Sequence, residues 1–436
     1  MQILDWRGAS PRDRDEALRR PALRDAAAVD AAVREIIDSV RRGGDAALGE
    51  FTRRFDGVRV DALRASAAEF AAAERAIGAE AVAAIDTAIE NVRRFHAAQV
   101  ALPLVVETAP GVRCERRSVP IGAVGLYVPA GPAPLPSTAI MLAVPAAIAG
   151  CPVRVVCTPP QADGAVPAAV LVAARRAGVE TVFKVGGAQA IAAMAYGTES
   201  VPKCDKLFGP GNAWVTAAKL QVAADPAGAA LDLPAGVTEV LIVADASARA
   251  DFVAADLLAQ AEHGVDAQAL LVTDAPALAT AVAREVERRR GALSRGAILA
   301  GSIPHMRAIL VESIAAAIEV ANAYAPEHLL LQVREPRAWL DSVRNAGAVF
   351  LGPWSPESVG DYCAGPNHTL PTYGYARSHS GLGLEDFQKR ITVQELDPAG
   401  LRGLAGPTRT LAALEGLDAH AAAVTVRLEA LAAVRA

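Results

Sequence analysis

Between Val153 and Arg289 one pattern recurs: a short apolar run, a turn carrying glycine or proline, then a longer stretch with helical periodicity. The run 153–158 ends at Pro159-Pro160 and precedes a helix expected over 165–177. The run 181–185 enters Gly186-Gly187 and a helix over 188–195. The run 206–208 enters Gly209-Pro210-Gly211-Asn212 and a helix over 213–223. The pattern resumes with strand 239–243, helix 251–262, strand 269–272 and helix 276–289, where Pro276 suits a first turn. Further strands are expected at 328–333 and 348–351. Strands that alternate with helices cannot pair as hairpins. They form parallel sheets covered by helices, which is an α/β fold.

Composition agrees with that architecture. Hydrophobic residues make up 52% of the 436, yet aromatics only 4%, so the core is built from Ala, Val and Leu. The chain is long enough for more than one domain. A net charge of -5 supplies no basic footprint for nucleic acid, and the runs Arg41-Arg42 and Arg288-Arg289-Arg290 read as solvated helix faces. The longest apolar runs, such as 139–149, are too short for a membrane span and contain proline. The N-terminus shows no basic region leading into an apolar one, so no secretory signal is evident. Five cysteines without zinc-type pairing read as free thiols of a reducing cytoplasm. Residues 25–99 read as mostly helical. From about 384 the chain changes to polar connections and then helices near 408–414 and 419–434, a small helical tail.

Four places can carry chemistry. In Gln260-Ala261-Glu262-His263-Gly264, residues three apart share a helix face. Gln260 and His263 could serve one metal ion, or His263 could simply favour a helix C-terminus. Glu327-His328 sits where a helical run stops at Pro326 and a strand begins. The pair could divide base and acid duties, or be two solvated residues at a helix exit. Its place before a strand conflicts with the rule that α/β ligands gather at the carboxyl ends of strands. The Pro/Gly loop 352–372 does follow a strand and offers Asp361 and His368 as ligands or substrate contacts. In the tail, Glu415 and His420 reach a distant site only by folding back or by entering a partner subunit; a tail histidine can equally be plain surface. No Gly-x-Gly-x-x-Gly follows a strand. Gly186-Gly187-Ala188-Gln189 and Gly209-Pro210-Gly211-Asn212 are either tight turns or phosphate-binding turns.

Taken together these segments resemble the histidinol dehydrogenase family. The resemblance runs over nearly the whole chain, through Val128-Pro129-Ala130-Gly131, Ala133-Pro134-Leu135-Pro136-Ser137, Val185 to Ala190, Phe208 to Asn212, Leu258 to Gly264, Ala325 to Leu329 and Gly365 to Thr372. It implies two Rossmann-like parallel-sheet domains with an N-terminal helical segment and a small C-terminal helical tail. The expected division is 1–25 as N-terminal segment, 26–126 with 239–381 as the first α/β domain, 127–238 as the NAD-binding domain, and 382–436 as tail. The resemblance assigns one zinc per subunit to Gln260, His263, Asp361 and His420, and the catalytic pair to Glu327 and His328. NAD contacts fall on Tyr127, Gln189 and Asn212. Substrate contacts fall on Thr238, Gln260, His263, His328, Asp361, His368, Glu415 and His420. Thr238 stands where the family often has serine, and Ala130 where it often has glycine. His305 and His379 match no functional position, and His96, in a Phe-His segment that resembles the family, is assigned no role.

The implied reaction oxidises L-histidinol to L-histidine through the aldehyde with two hydride transfers to NAD. The implied assembly is a homodimer whose tails complete the neighbour's site. His328 is expected as general base for the alcohol and Glu327 as the group that activates water. Competing readings are a dehydrogenase of another primary alcohol, a zinc hydrolase, and a non-catalytic dimeric binding protein. A hydrolase leaves the two glycine turns unexplained, and a sulfonated substrate calls for Arg or Lys where this chain has Glu415 and His420.

Overall fold

The computed structural model describes residues 1–21, 26–130, 134–234 and 236–433. Gly131 and Ala133 of the motifs quoted above lie outside them. In chain order the strands are β1 (Gln2–Asp5), β2 (Leu104–Ala109), β3 (Val112–Pro120), β4 (Ala123–Tyr127), β5 (Val153–Thr158), β6 (Val182–Lys184) and β7 (Lys206–Phe208). They continue with β8 (Ala230–Leu231), β9 (Glu239–Ala244), β10 (Gln268–Thr273), β11 (Arg307–Leu310), β12 (His328–Gln332), β13 (Ala348–Leu351) and β14 (Gln388–Leu396). Among the described residues they form a six-stranded sheet ordered β1-β11-β10-β9-β12-β13, a five-stranded sheet ordered β6-β5-β4-β7-β8, and a three-stranded sheet ordered β14-β3-β2.

The two larger sheets are parallel throughout. Parallel sheets need cover on both faces, which is why β9 and β10 are continuous buried runs rather than alternating ones. On one face of the six-stranded sheet, Val240, Ile242, Leu271 and Leu330 pack against Leu257, Val282 and Leu299. On the other, Leu241, Val243, Leu270 and Leu329 pack against Ala17, Ile318 and Tyr324. Successive residues of one strand thus serve opposite cores, as the two-residue period of a strand requires.

The five-stranded sheet is covered in the same way. Helices Ala67–Ala97, Pro136–Ala149 and Ala168–Arg176 supply one face, around Leu126, Val156 and Phe208. Helices Ala26–Phe55, Gly187–Tyr196 and Ala213–Ala224 supply the other, around Val155, Phe183 and Leu207. The expected division of the chain therefore moves. Residues 26–126 were expected with the first sheet, but their long helices cover the second, and β4 within that range is its central strand. The helical pattern shows that these segments have an apolar face, not which sheet that face will meet. The expected N-terminal segment also gains a role, since β1 pairs in parallel with β11.

Residues 100–120 and those from Gln388 onward form a separate compact unit. Strand β3 pairs antiparallel with β2 and β14. The tail, expected as polar connections followed by helices, thus begins with a β-ribbon. Its first helix, Pro398–Leu414, starts well before the expected position because Asp397 caps it, accepting from Gly400 N at 2.7 Å, and Pro398 occupies the first turn. Leu411, Leu414, Leu417 and Val426 are exposed on this unit.

One turn fixes the carboxyl edge of the five-stranded sheet. Gly209 has φ +118, and a Cβ there would lie 2.1 Å from the Tyr127 carbonyl oxygen. Gly209 N donates to Asp232 Oδ2 at 2.8 Å, and its carbonyl accepts from Lys219 Nζ at 2.9 Å, while Lys219 and Asp232 form a buried ion pair. Gly209→Ala combines a left-handed backbone with a clash against backbone, so we expect it to cost about 2 kcal/mol or more. Urea unfolding of the two proteins checks this; equal midpoints would show that the turn relaxes freely.

Candidate active site

A helix lying between two parallel strands runs opposite to them. The helix Ala250–Ala261, which follows β9, therefore ends at the edge where the strands begin, and this places Gln260 and His263 there. The helix Ile314–Tyr324 returns to the same edge. Ser313 caps its start, Ala325 ends it in the left-handed conformation with φ 55, and Pro326 prevents continuation. Glu327 and His328 are thus turned into the first step of β12, level with Val240 and Ala348 of the flanking strands. Both are buried, which excludes the reading of two solvated residues at a helix exit. The site collects on the amino edge of this sheet, against the expectation from the carboxyl-end rule.

A chain of hydrogen bonds orders the acid. Gln260 Nε2 donates to Thr238 Oγ1 at 2.9 Å, and Thr238 Oγ1 donates to Glu327 Oε2 at 2.7 Å. Glu239 N donates to the same oxygen at 2.9 Å. Burial pushes the Glu327 carboxyl up to about 7, against the pull of His328, Thr238 and the Glu239 amide. His328 Nδ1 lies 3.2 Å from the Glu239 carbonyl oxygen. Around the ring stand Glu327 at 3.6 Å and Glu357 at 3.7 Å from Nδ1, and Asp361 at 3.6 Å from Nε2. Burial opposes a charge on the ring, but Glu357, Glu327 and Asp361 together raise its pKa well above the ordinary imidazole value.

The loop after β13 folds back to reach this point. Helix Glu357–Tyr362 carries Asp361 to within 3.6 Å of a residue on the amino edge. Burial raises the Asp361 carboxyl, but His328, His368 and His263 outweigh it and hold it low. Asp361 and His368 line a cavity of about 390 Å³ together with His328 and Phe350. Burial lowers the His368 pKa, and its Nε2 is buried without a hydrogen-bond partner.

Glu357 and Asp256 were not anticipated. Glu357 is buried, and burial pushes it up to about 8. Asp256 is buried on the helix that bears Gln260, and burial pushes it up to about 7 against Gln332. A carboxylate inside the apolar run Val253-Ala254-Ala255-Asp256-Leu257-Leu258 was the available signal for the second. Glu357 stands in a Pro-flanked loop with no periodicity to mark it.

Of the expected metal set, Gln260, His263 and Asp361 share this edge. Gln260 Oε1 is buried with no hydrogen-bond partner, so it is an acceptor left for a cation. His263 Nδ1 lies 3.0 Å from the Ala259 carbonyl oxygen, which leaves Nε2 available. A second grouping overlaps the first: ligand atoms of His328, Glu357 and Asp361 lie within 4.8 Å of one another. Glu415 and His420 lie in the tail unit, at the end of helix Pro398–Leu414 and in the first turn of helix Asp418–Ala433, and both are exposed.

The expected nucleotide contacts come together elsewhere, where the rule holds. In the five-stranded sheet the chain reverses direction between β4 and β7, and Tyr127 and Gly209-Pro210-Gly211-Asn212 stand at the carboxyl ends of those strands. Tyr127 OH accepts from Gly187 N at 3.1 Å. Gln189 is buried with Oε1 unpartnered, and Asn212 Oδ1 caps its helix at Trp214 N and Val215 N. Tyr127, Gln189 and Asn212 line one cavity of about 720 Å³, and His263 lines it too.

A family model described as histidinol dehydrogenase matches residues 18–428. The chain belongs to the histidinol dehydrogenase family. It is 54% identical over 428 residues to a histidinol dehydrogenase of Xanthomonas oryzae pv. oryzae, covering 98% of this chain and 99% of the relative. It is 50% identical over 432 residues to one of Vibrio parahaemolyticus, covering 99% of both chains. The crystal structure of histidinol dehydrogenase from Elizabethkingia anophelis superposes with a TM-score of 0.94 at 40% identity, covering 99% of this chain and 98% of the other. The expected family and the α/β fold of parallel sheets are thereby established, and the chain is an oxidoreductase.

The buried acids make stability depend on pH. Asp256 is raised from 3.8 to about 7, so the folded protein keeps a proton that the unfolded chain releases. The stability attached to this group is full below its unfolded value and is lost as pH rises through about 7. Asp256→Asn keeps the shape but cannot ionise. It should match the wild type near pH 4 and exceed it by about 2 kcal/mol near pH 8. Denaturant midpoints across that range test this, and parallel curves for the two proteins would refute it.

Proposed function

We propose that this enzyme oxidises L-histidinol to L-histidine, by way of L-histidinal, with two NAD consumed for each substrate. The observation that carries this reading is the shared cavity. His263, on the amino edge of one sheet, lines the same space as Tyr127, Gln189 and Asn212, on the carboxyl edge of the other. A substrate held by the first set can thus present its carbon to a nucleotide held by the second.

The residues fit one divalent metal per subunit. Gln260 through its free Oε1, His263 through Nε2 and the Asp361 carboxylate would hold zinc, with His420 as fourth ligand. Zinc when bound supplies a Lewis acid that orients the substrate's imidazole and amine. NAD supplies the acceptor for one hydride in each oxidation. The chain's own residues do the rest. In its neutral form His328 takes the hydroxyl proton as the carbinol carbon loses hydride; the carboxylates around it hold its pKa well above the ordinary imidazole value, so this step should be favoured by rising pH. Glu327 then takes a proton from water, whose oxygen adds to the aldehyde carbon as the His328 imidazolium returns its proton to the aldehyde oxygen, which gives the hydrate and a neutral ring. His328 takes a hydrate proton as the second hydride leaves. The sum is alcohol, water and two NAD giving carboxylate, two NADH and three protons. Thr238 keeps Glu327 aimed and links it to Gln260. His368 borders the substrate side of the site.

We further infer a homodimer in which each tail completes the site of the other copy through Glu415 and His420. Leu411, Leu414, Leu417 and Val426, exposed on the tail unit, support a partner surface there. No described helix is long and apolar enough to cross a membrane, and all five cysteines are free. We place the enzyme in the cytoplasm, acting on a small molecule.

NADH formed per L-histidinol should be two. A value of one with free aldehyde accumulating would sink the two-step reaction. Glu327→Gln should preserve the first hydride transfer and slow the second by about a hundredfold or more, whereas His328→Asn should slow both. Single-turnover absorbance separates the steps, and identical behaviour of the two variants would remove the division of labour.

Shared sites predict complementation. His420→Asn and Glu327→Gln homodimers should each be nearly inactive. Mixed and reassembled, they should regain activity, because each heterodimer then has one site with both residues intact. No recovery in heterodimers isolated by two affinity tags would place each tail on its own chain's site.

A further inference from the structure

The nucleotide cavity contains a charged group that the reaction above does not use. Asp56 directly follows the helix Ala26–Phe55, and its amide donates to the Thr52 carbonyl at 2.9 Å. Its side chain lines the cavity that holds Tyr127, Gln189 and Asn212. Oδ2 is shut from water and has no hydrogen-bond partner, and no ion pair among the described residues reaches the carboxylate. Burial accordingly pushes it up to about 6. A carboxylate in that condition stabilises nothing in the fold. It is an acceptor in want of a donor.

The surroundings say what kind of donor. Phe55 and Trp214, both exposed, line the cavity and supply the apolar aromatic surface a base requires. Arg295 lines the same cavity and is a cation to which a pyrophosphate can pair. Helix Gly187–Tyr196 begins at the wall, and the positive end of its dipole favours phosphate there. Base, phosphate and acid complement one another as parts of a dinucleotide site, and the part left for Asp56 is the ribose diol.

We propose that Asp56 accepts the hydroxyls of the adenosine ribose and thereby selects NAD over NADP. This rests on the NAD-linked reading above. In parallel-sheet nucleotide domains an acidic side chain hydrogen-bonds the ribose 2′-hydroxyl. A 2′-phosphate in its place brings negative charge against the carboxylate and removes the donor. This chain has no glycine-rich fingerprint leading to an acid at the end of the second strand, so the acid is supplied from outside the sheet, by the end of a covering helix.

The test compares wild type, Asp56→Ala and Asp56→Asn for KM and kcat with NAD and NADP, using L-histidinol. Asp56→Ala should raise KM for NAD by about tenfold or more, a larger change than in kcat, as loss of a charge-assisted hydrogen bond requires. Its preference for NAD over NADP in kcat/KM should fall by a factor of about ten or more. Asp56→Asn keeps an acceptor without the charge. It should recover part of the NAD affinity while still admitting NADP. An unchanged NAD to NADP ratio in both variants, with unchanged unfolding midpoints, would overturn the proposal. So would an equal fall in kcat with both nucleotides at constant KM. Should the wild type form no NADH from L-histidinol, the reading of function falls. Direct titration of NAD and NADP into substrate-free wild type and variants then decides Asp56 on its own.

Discussion

A helix that covers a parallel sheet between two of its strands has to carry the chain back to the edge where the next strand begins. Everything chemical in this protein follows from that return. It brings the last turn of helix Ala250–Ala261, with Gln260 and His263, to the amino edge of the six-stranded sheet. It brings the exit of helix Ile314–Tyr324 to the same edge, where Ala325 and Pro326 break the helix and aim Glu327 and His328 inward. The residue before β9 is there for the same reason, and Thr238 joins the two groups by hydrogen bonds. Only Asp361 needs a separate device, the fold-back of the loop beyond β13.

So many acids on one buried edge are tolerable only with compensation. Glu239 N holds Glu327, and the Glu239 carboxylate is itself paired with Arg20, whose Nη2 lies 2.7 Å from Oε1. The same Nη2 donates to the Tyr324 carbonyl at 2.8 Å, and the guanidinium stacks 4.0 Å from the Tyr324 ring centroid. Arg20 therefore ties the N-terminal segment to β9 and to the helix that delivers Glu327 and His328. Removing one partner of a buried pair of this kind costs about 3–5 kcal/mol, because the other is left charged and alone. What remains near His328 is a group of carboxyls of which burial keeps Glu327 and Glu357 partly protonated, so the cluster shares protons instead of holding a full set of charges.

How much of this could be read in the sequence depended on burial. Strands β5, β7, β9 and β13 were legible as short, largely apolar runs, three of them punctuated by Gly or Pro: β5 by Pro159-Pro160, β7 by Gly209-Pro210 and β13 by Gly352-Pro353. Their helices were legible by period. Strand β14 was not: nearly all of its residues are exposed, so no face of it is marked by hydrophobicity. The helices Ala26–Phe55 and Ala67–Ala97 were legible as helices, but their sheet was not, since an apolar face carries no address. At the site, Glu327 and His328 stood out as adjacent chemistry, and the resemblance supplied Thr238. Glu357 and Asp256 were hidden because a single acid is ordinary until its burial is known. Asp56 was hidden for the same reason, at a helix end where an exposed acid would pass unremarked.

The conflict between the Glu327-His328 pair and the carboxyl-end rule has an electrostatic answer. At the carboxyl edge of a parallel sheet the covering helices begin, and at the amino edge they end. Each helix start carries about half a positive charge and each end about half a negative one. The carboxyl edge of the five-stranded sheet, with helix starts at Gly187 and Ala213, therefore suits phosphate, and there the side groups Tyr127, Gln189 and Asn212 are neutral. The amino edge of the six-stranded sheet, with the helix end beside Gln260 and His263, suits positive charge. A metal ion and a cationic amino-alcohol, as proposed, belong on that second edge and would be disfavoured on the first. The carboxyl-end rule describes anionic ligands. Here the proposed nucleotide obeys it, and the proposed substrate, being of the opposite charge, takes the opposite edge of the other sheet.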